Sequence, residues 1–446
     1  MHETCARRTA PITKRPATIT LVTLALAGLL GACSNDGSSS DGDASTSPDH
    51  DLSEAEEAEF ETASEFARCM RDHGLEEMPD PQVSGNGFML VGVPLDPQDF
   101  EDWDAAQEAC QPVVDDAGPP DETGDDAAGW EQVVPGGDCQ CSDGSGFRFW
   151  VREANPEKVV VFLEGGGSCF SAETCAPDSE LYNTTITEGP AREGVFDFAE
   201  ERNPFADYSV VFVPYCTGDV HIGNATTEYS PELTIQHKGY VNGTAAVDHL
   251  AATFPGATDV VVMGESAGSI AAPLYAGLVS DRLPDAAITV LADGSGSYPD
   301  VPAINDRVAA AWGTGNAIPP WPENAGLTAE QWSSVPGLFV QAGRHDPEIV
   351  FARHDYAYDE NQASWYPYLG VDVGDLLSRI DANETQIEGA GVNLLSYVAP
   401  GDEHTVLGDE GFYTEEVNGV ALVDWVGALI VGEPLDDVHC DRCETA

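Results

Sequence analysis

Val260-Val261-Val262-Met263-Gly264-Glu265-Ser266-Ala267-Gly268 is the stretch that decides how this chain is read. A continuous apolar run, the mark of a strand covered on both faces, passes directly into Gly-x-Ser-x-Gly. An Ala- and Leu-rich segment follows, predicted as a helix over Ala267–Leu278. Two glycines allow the sharp strand-to-helix turn that leaves a serine hydroxyl exposed at a helix N-terminus. The bland alternative is a tight turn with a capping serine. The order strand, turn, helix favours a nucleophile at Ser266.

Acyl transfer from such a serine also needs donors for the oxyanion. Val161-Phe162-Leu163-Glu164-Gly165-Gly166-Gly167-Ser168 offers them upstream, where a strand opens into three adjacent glycines whose amides no side chain shields. The amides of this glycine turn are candidate donors, with the Ala267 amide as the second. In this type of fold an acid and then a histidine follow the serine along the chain. Asp346, after a predicted strand Leu338–Gln341, is the candidate acid; His404, after a predicted strand Leu394–Val398, is the candidate base. His345 and His354 are rival bases, and Asp293, Asp355 and Asp402 rival acids. A metal site built from His345, Asp346, His354 and Asp355 lacks any HExxH-type pattern and is set aside, so neither metal nor cofactor is expected.

Working outward, apolar runs at Phe147–Val151, Val159–Leu163, Ser209–Val213 and Ile288–Leu291 read as further strands. Leu233–Phe254 and Val417–Val431 read as helices. This alternation predicts an α/β fold, a mostly parallel α/β-hydrolase-like sheet with flanking helices, over residues 130–446. Residues 115–129 are an acidic, Pro- and Gly-rich linker. Residues 51–114 form a small helical unit in which Ser53 and Glu56 make a capping box and a Cys69–Cys110 bridge would staple two helices.

Residues 1–32 have a basic start and a short apolar run, as an export signal does. Leu30-Gly31-Ala32-Cys33 looks like a lipobox, which implies lipidation at Cys33 and attachment to the outer face of a bacterial membrane. Residues 33–50 are then a flexible acidic tether. Export makes disulfides plausible among the 11 cysteines, and a bridge joining Cys139 or Cys141 to Cys440 or Cys443 is the plain expectation for the two close pairs. With 78 Asp and Glu against 18 Lys and Arg, the net charge of -60 disfavours nucleic acid as a partner.

The body resembles the pectin acetylesterase family in Cys141-Ser142-Asp143-Gly144-Ser145, Leu163-Glu164-Gly165-Gly166-Gly167-Ser168-Cys169, Tyr215-Cys216-Thr217-Gly218-Asp219, Gly264-Glu265-Ser266-Ala267-Gly268 and Leu291-Ala292-Asp293. The resemblance implies cofactor-free serine ester hydrolysis by Ser266, with Gly166, Gly167 and Ala267 at the oxyanion. It also implies Cys169–Cys175 and Cys141–Cys216 bridges, and a role for Asp293 other than triad acid. Two positions depart from the family pattern: Ser168 stands where an aromatic is usual, and Ser269 where a glycine is common. The expectation is a hydrolase that removes a small, acetyl-type O-acyl group from a small molecule or polysaccharide. The alternatives are a surface binding lipoprotein that keeps the fold with little turnover, and a lipase or depolymerase with a larger apolar pocket.

Overall fold

A computed structural model describes residues 129–441 except Asp178, Thr187 and Glu188, together with Cys443. Before residue 129 it describes only Arg68, Cys69, Arg71 and the backbone of a two-stranded antiparallel hairpin, Gln82–Ser84 with Gly87–Met89. The chain separates into two compact units, Met1–Ala128 and Gly129–Ala446. The leader, the Cys33 lipidation site, the tether, the Cys69–Cys110 bridge and the rest of the 51–114 unit lie outside the described residues. No described helix is long and apolar enough to cross a membrane.

The body is built on a nine-stranded sheet. In chain order its strands are β1 (Trp130–Val133), β2 (Phe149–Arg152), β3 (Asn155–Leu163), β4 (Tyr208–Val213), β5 (Asp259–Glu265), β6 (Ala287–Asp293), β7 (Val350–Tyr356), β8 (Leu394–Ala399) and β9 (Val438–His439). Across the sheet they run β9-β8-β7-β6-β5-β3-β4-β2-β1. From β9 to β4 every pairing is parallel, and β2 and β1 close one edge antiparallel. This is the mostly parallel, helix-flanked sheet of an α/β-hydrolase-like fold.

The period-2 pleat divides the apolar strands between two cores. Val159, Val161, Val260, Val262 and Val290 face helices α1 (Gly239–Thr253) and α2 (Ala267–Arg282) and pack with Leu250, Ala271 and Leu274. Val160, Phe162, Val261, Met263 and Leu291 face the other way and pack with Phe196, Trp425 and Val426. Burial on both sides is why these strands read as unbroken apolar runs. Helix α2 is itself buried almost all round. Its Ala- and Gly-rich composition lets it lie close to the sheet.

Three sequence expectations are corrected. The run Leu338–Gln341 is not a strand but the middle of helix α4 (Val335–His345), after α3 (Pro302–Trp312). Ser334 caps α4 by accepting from the Gly337 N–H, and Pro336 sits in its first turn. A short buried apolar run has no period by which strand and helix can be told apart. The segment Leu233–Phe254 divides into a strand, Leu233–His237, paired with Ala225–Ser230, and helix α1. Val417–Val431 likewise begins as a tight hairpin, Glu416–Val417 with Val420–Ala421, before its helix Leu422–Ile430.

The cysteines are also re-sorted. Cys141–Cys216 and Cys169–Cys175 are both bridged. No bridge ties the start of the body to its end: Cys440 pairs with Cys443, and Cys139 is a buried free thiol. The Cys141–Cys216 bridge spans 75 residues, a loop whose closure removes about 4 kcal/mol of chain entropy from the unfolded state. The bridge between Cys440 and Cys443 spans three residues and constrains little beyond its own turn.

Candidate active site

Strand β5 ends at Glu265, and Ser266 turns the chain into α2 with φ 49° and ψ -116°. A non-glycine residue held at positive φ is strained, and here its neighbours fix it. The Ser266 N–H donates to the Asp293 carbonyl at 2.8 Å, and the buried Ser269 hydroxyl donates to the Ser266 carbonyl at 2.6 Å. Serine at 269, a departure from the family pattern, therefore ties down the carbonyl of the strained residue.

The turn leaves no room for side chains at its glycines. A Cβ on Gly264 would overlap the Gly268 carbonyl, and a Cβ on Gly268 would overlap the Leu163 carbonyl on the neighbouring strand. Gly268→Ala is expected to destabilise the body by about 1–3 kcal/mol, as overpacking does, and to reduce activity through displacement of Ser266. Thermal unfolding and ester hydrolysis of the purified variant check both.

The glycine loop follows β3. Gly166 and Gly167 have φ of 142° and 75°, and a Cβ on Gly167 would overlap the Leu181 carbonyl. The Ser168 N–H is taken by the Leu181 carbonyl at 3.2 Å. Among the described residues no acceptor takes the N–H of Gly166, Gly167 or Ala267. These three amides can therefore serve a developing oxyanion, and Ala267 adds the field of the α2 N-terminus. Burial pushes the His221 imidazole down to about 4, so it is neutral, and its Nε2–H donates to the Glu164 carbonyl at 2.9 Å, holding the base of this loop.

His404 lies on the loop after β8. Its ring stands over Gly294, a Cβ on which would lie 3.3 Å from His404 Cε1, one residue beyond the carbonyl that receives Ser266 N–H. Nδ1 is 2.6 Å from Asp359 Oδ2. An ionised carboxylate only accepts, so Nδ1 carries the proton and the lone pair of neutral His404 is on Nε2. That Nε2 is buried and has no hydrogen-bond partner. Burial pushes the imidazole down, but the hydrogen bond and charge of Asp359, with the charges of Asp293 and Glu265, outweigh it and leave His404 above its ordinary value.

The carboxylate that meets His404 is thus Asp359, and Asp346 lies elsewhere. Asp346 is the C-cap of α4, and its carboxylate accepts from the Glu348 N–H. Asp359 is fully buried at the start of α5 (Glu360–Leu369), where Oδ1 accepts from the Gln362 N–H at 2.8 Å. The loops after β7 and β8 are joined along their length. Ala357, Tyr358 and Glu360 donate to the carbonyls of Ala399, Gly401 and Asp402, which brings Asp359 to His404.

The rival residues fall elsewhere. His345 stacks on Trp321 and meets Asp281 at 2.9 Å. Asp355 pairs with Arg353 inside the body. Asp293 Oδ1 meets His354 Nδ1 at 2.7 Å, and Asp293 Oδ2 accepts from the N–H groups of Val406 and Leu407. The His345, Asp346, His354, Asp355 grouping is therefore dispersed. Two clusters of metal-ligating residues occur among the described residues. Cys169, Cys175 and His237 have their sulfurs in a disulfide, while Asp381, Glu384 and His439 lie on helix Leu376–Gly389 and β9 and do not line the Ser266 cleft.

Beside Ser266 and Ala267 opens a cleft. Its walls are mostly apolar, with Phe170, Val220, Ile222, Ile270, Trp312 and Trp365 among them. Ser168 lines it too, a small side chain next to the glycine loop.

Residues 134–312 match the family model described as "Pectinacetylesterase", a span that includes the loop glycines Gly166 and Gly167 and Ser266 and ends before Asp359 and His404. The chain is 28% identical over 173 residues to pectin acetylesterase 5 of Arabidopsis thaliana, covering 37% of this chain and 40% of that protein. It is 28% identical over 153 residues to palmitoleoyl-protein carboxylesterase NOTUM of Homo sapiens, covering 32% and 30%. It is 32% identical over 100 residues to "Inactive palmitoleoyl-protein carboxylesterase notum1b" of Danio rerio, covering 21% of this chain and 72% of that protein. Against the first two of these relatives the matched segment spans less than half of the relative's length. With the glycine loop and the nucleophile turn inside the matched span, the chain belongs to the pectinacetylesterase family.

Proposed function

We propose that the body is a serine carboxylic-ester hydrolase. Ser266 attacks the acyl carbonyl, His404 Nε2 takes its proton and returns it to the leaving oxygen, and Asp359 holds the imidazole tautomer. Gly166, Gly167 and Ala267 receive the oxyanion, and water then releases the acyl group from Ser266. The observation that carries this reading is the imidazole itself: Nδ1 is fixed on a buried carboxylate and the buried Nε2 is left unpartnered beside the strained serine turn. Family membership alone would not suffice, because one relative carries the word inactive in its name.

The acyl group in this reading is longer than acetyl. The cleft beside Ser266 is walled mostly by large apolar side chains, among them Phe170, Ile270, Trp312 and Trp365, which reward an acyl chain of several methylenes more than acetyl. Each methylene buried there contributes about 0.8 kcal/mol, so selectivity should climb about fourfold per carbon until the cleft is filled. The alcohol portion, a small molecule or a glycan, would sit at the open mouth. We place the enzyme outside the cell, tethered through lipid on Cys33; the disulfides support an oxidising compartment.

Hydrolysis of p-nitrophenyl esters from acetate to dodecanoate by the purified protein tests this. The expected optimum lies at six to ten carbons, and Ser266→Ala should lose at least about a thousandfold in kcat. An optimum at acetate would restore the small-acyl expectation. No turnover by folded protein across the series would favour a binding protein that keeps the hydrolase fold.

A further inference from the structure

Glu265 is a half-buried carboxyl that the proposed mechanism leaves unused, and it meets three parts of the site. It belongs to the nucleophile turn. Its Cγ packs on Gly165, where a Cβ would stand 3.4 Å from it and 3.0 Å from Ser266 Cβ. The Gly165 N–H, first in the glycine loop, faces the Glu265 carboxylate and favours its ionised form. Its Oε2 lies against Gly408, on the loop that follows His404.

The geometry points to Glu265 as a positioning residue that ties together the glycine loop, the Ser266 turn and the loop that follows His404. This rests on the esterase reading. The charged groups facing Glu265 are Asp293 from the end of β6, Glu164 from the end of β3 and His404 from the loop after β8. Burial pushes Glu265 up to about 7; Asp293 and Glu164 add to this, while the Gly165 N–H and His404 oppose it. Glu265 and His404 therefore titrate as a coupled pair. Ionised Glu265 raises the proton affinity of His404, so the neutral imidazole needed as base appears only at higher pH.

Glu265→Gln separates the tie from the charge, since the amide oxygen can still face the Gly165 N–H while the charge is gone. The acid limb of the kcat/KM profile should then move to lower pH by about half a unit to one unit. Glu265→Ala should move it similarly and also lower plateau kcat about tenfold with KM little changed, because Gly165 is released. A plateau kcat in Glu265→Ala equal to wild type would overturn the proposal. Superimposed acid limbs for wild type and Glu265→Gln would overturn the coupling, as would a shift to higher pH. Histidine ring ¹⁵N titration by NMR reads the His404 midpoint without turnover. Should wild type prove inactive, the ester reading fails, and a His404 midpoint equal in wild type and Glu265→Gln would separately reject the coupling.

Discussion

Asp359→Asn is expected to lower kcat by about 10³–10⁴-fold with KM little changed, whereas Asp346→Asn should stay within about twofold of wild type. Asparagine keeps an oxygen that can cap α5 by accepting from the Gln362 N–H, and it is among the best capping residues. The fold should therefore survive. What is lost is the charge on Oδ2, now 2.6 Å from His404 Nδ1. An amide nitrogen turned toward Nδ1 would favour the tautomer with the proton on Nε2, which leaves no lone pair for the Ser266 proton. Steady-state kinetics on the best p-nitrophenyl ester, with thermal unfolding as the control for folding, distinguishes the two aspartates. A large loss in Asp346→Asn with little in Asp359→Asn would reverse the assignment.

His354→Gln should be the most destabilising of the single changes, by about 3–5 kcal/mol. His354 is fully buried between Asp293 at 2.7 Å on Nδ1 and Glu415 at 2.9 Å on Nε2. Burial alone would push this imidazole down, but the two carboxylates outweigh it and push it up to about 10. It is an imidazolium, and its removal leaves Asp293 buried without its counter-charge. Because Asp293 also accepts from Val406 and Leu407, the loop carrying His404 should loosen and activity fall further than the unfolded fraction explains.

The sign of the pH effect follows from the direction of the shift. A histidine whose folded value lies above its ordinary 6.5 contributes its full stabilisation below 6.5. That contribution declines as pH rises through about 10. Wild type should thus lose stability between pH 7 and 10, and His354→Gln should lack this part of the slope. Urea midpoints at constant m across that range provide the check. Glu415→Gln should cost much less, since Glu415 lies nearer the surface and glutamine can still accept from Nε2. Equal midpoints for wild type and His354→Gln would mean the buried triad adds no net stability.

Some of this molecule was legible before any coordinates. The strand Asp259–Glu265, the turn at Ser266 and helix α2 are local: unbroken β-branched residues, two glycines and an alanine-rich run each dictate their own backbone. The same holds for the glycine loop after β3 and for His404 after β8, because each follows an apolar strand bounded by turn residues. Two disulfides could be inferred only through family resemblance, since connectivity is not a local property.

The acid was not legible, and the reason is physical. Strand β7 reads Val-Phe-Ala-Arg-His-Asp-Tyr, three polar residues that look like a surface loop. They are buried only because Arg353 meets Asp355 and His354 meets Asp293 and Glu415, partners supplied largely from outside the strand. With β7 unread as a strand, nothing in the sequence singled out Asp359, which caps α5, as the residue that meets His404. Conversely, Leu338–Gln341 has the apolarity of a strand and is a helix, so Asp346 was placed on a strand end that does not exist. The sequence alone determined the nucleophile turn, the glycine loop and the α/β alternation, because backbone preference and apolar period are written residue by residue. Only the tertiary structure decided which carboxylate meets His404, which side chains wall the cleft beside Ser266 and which charges share the interior, because those depend on groups far apart in sequence.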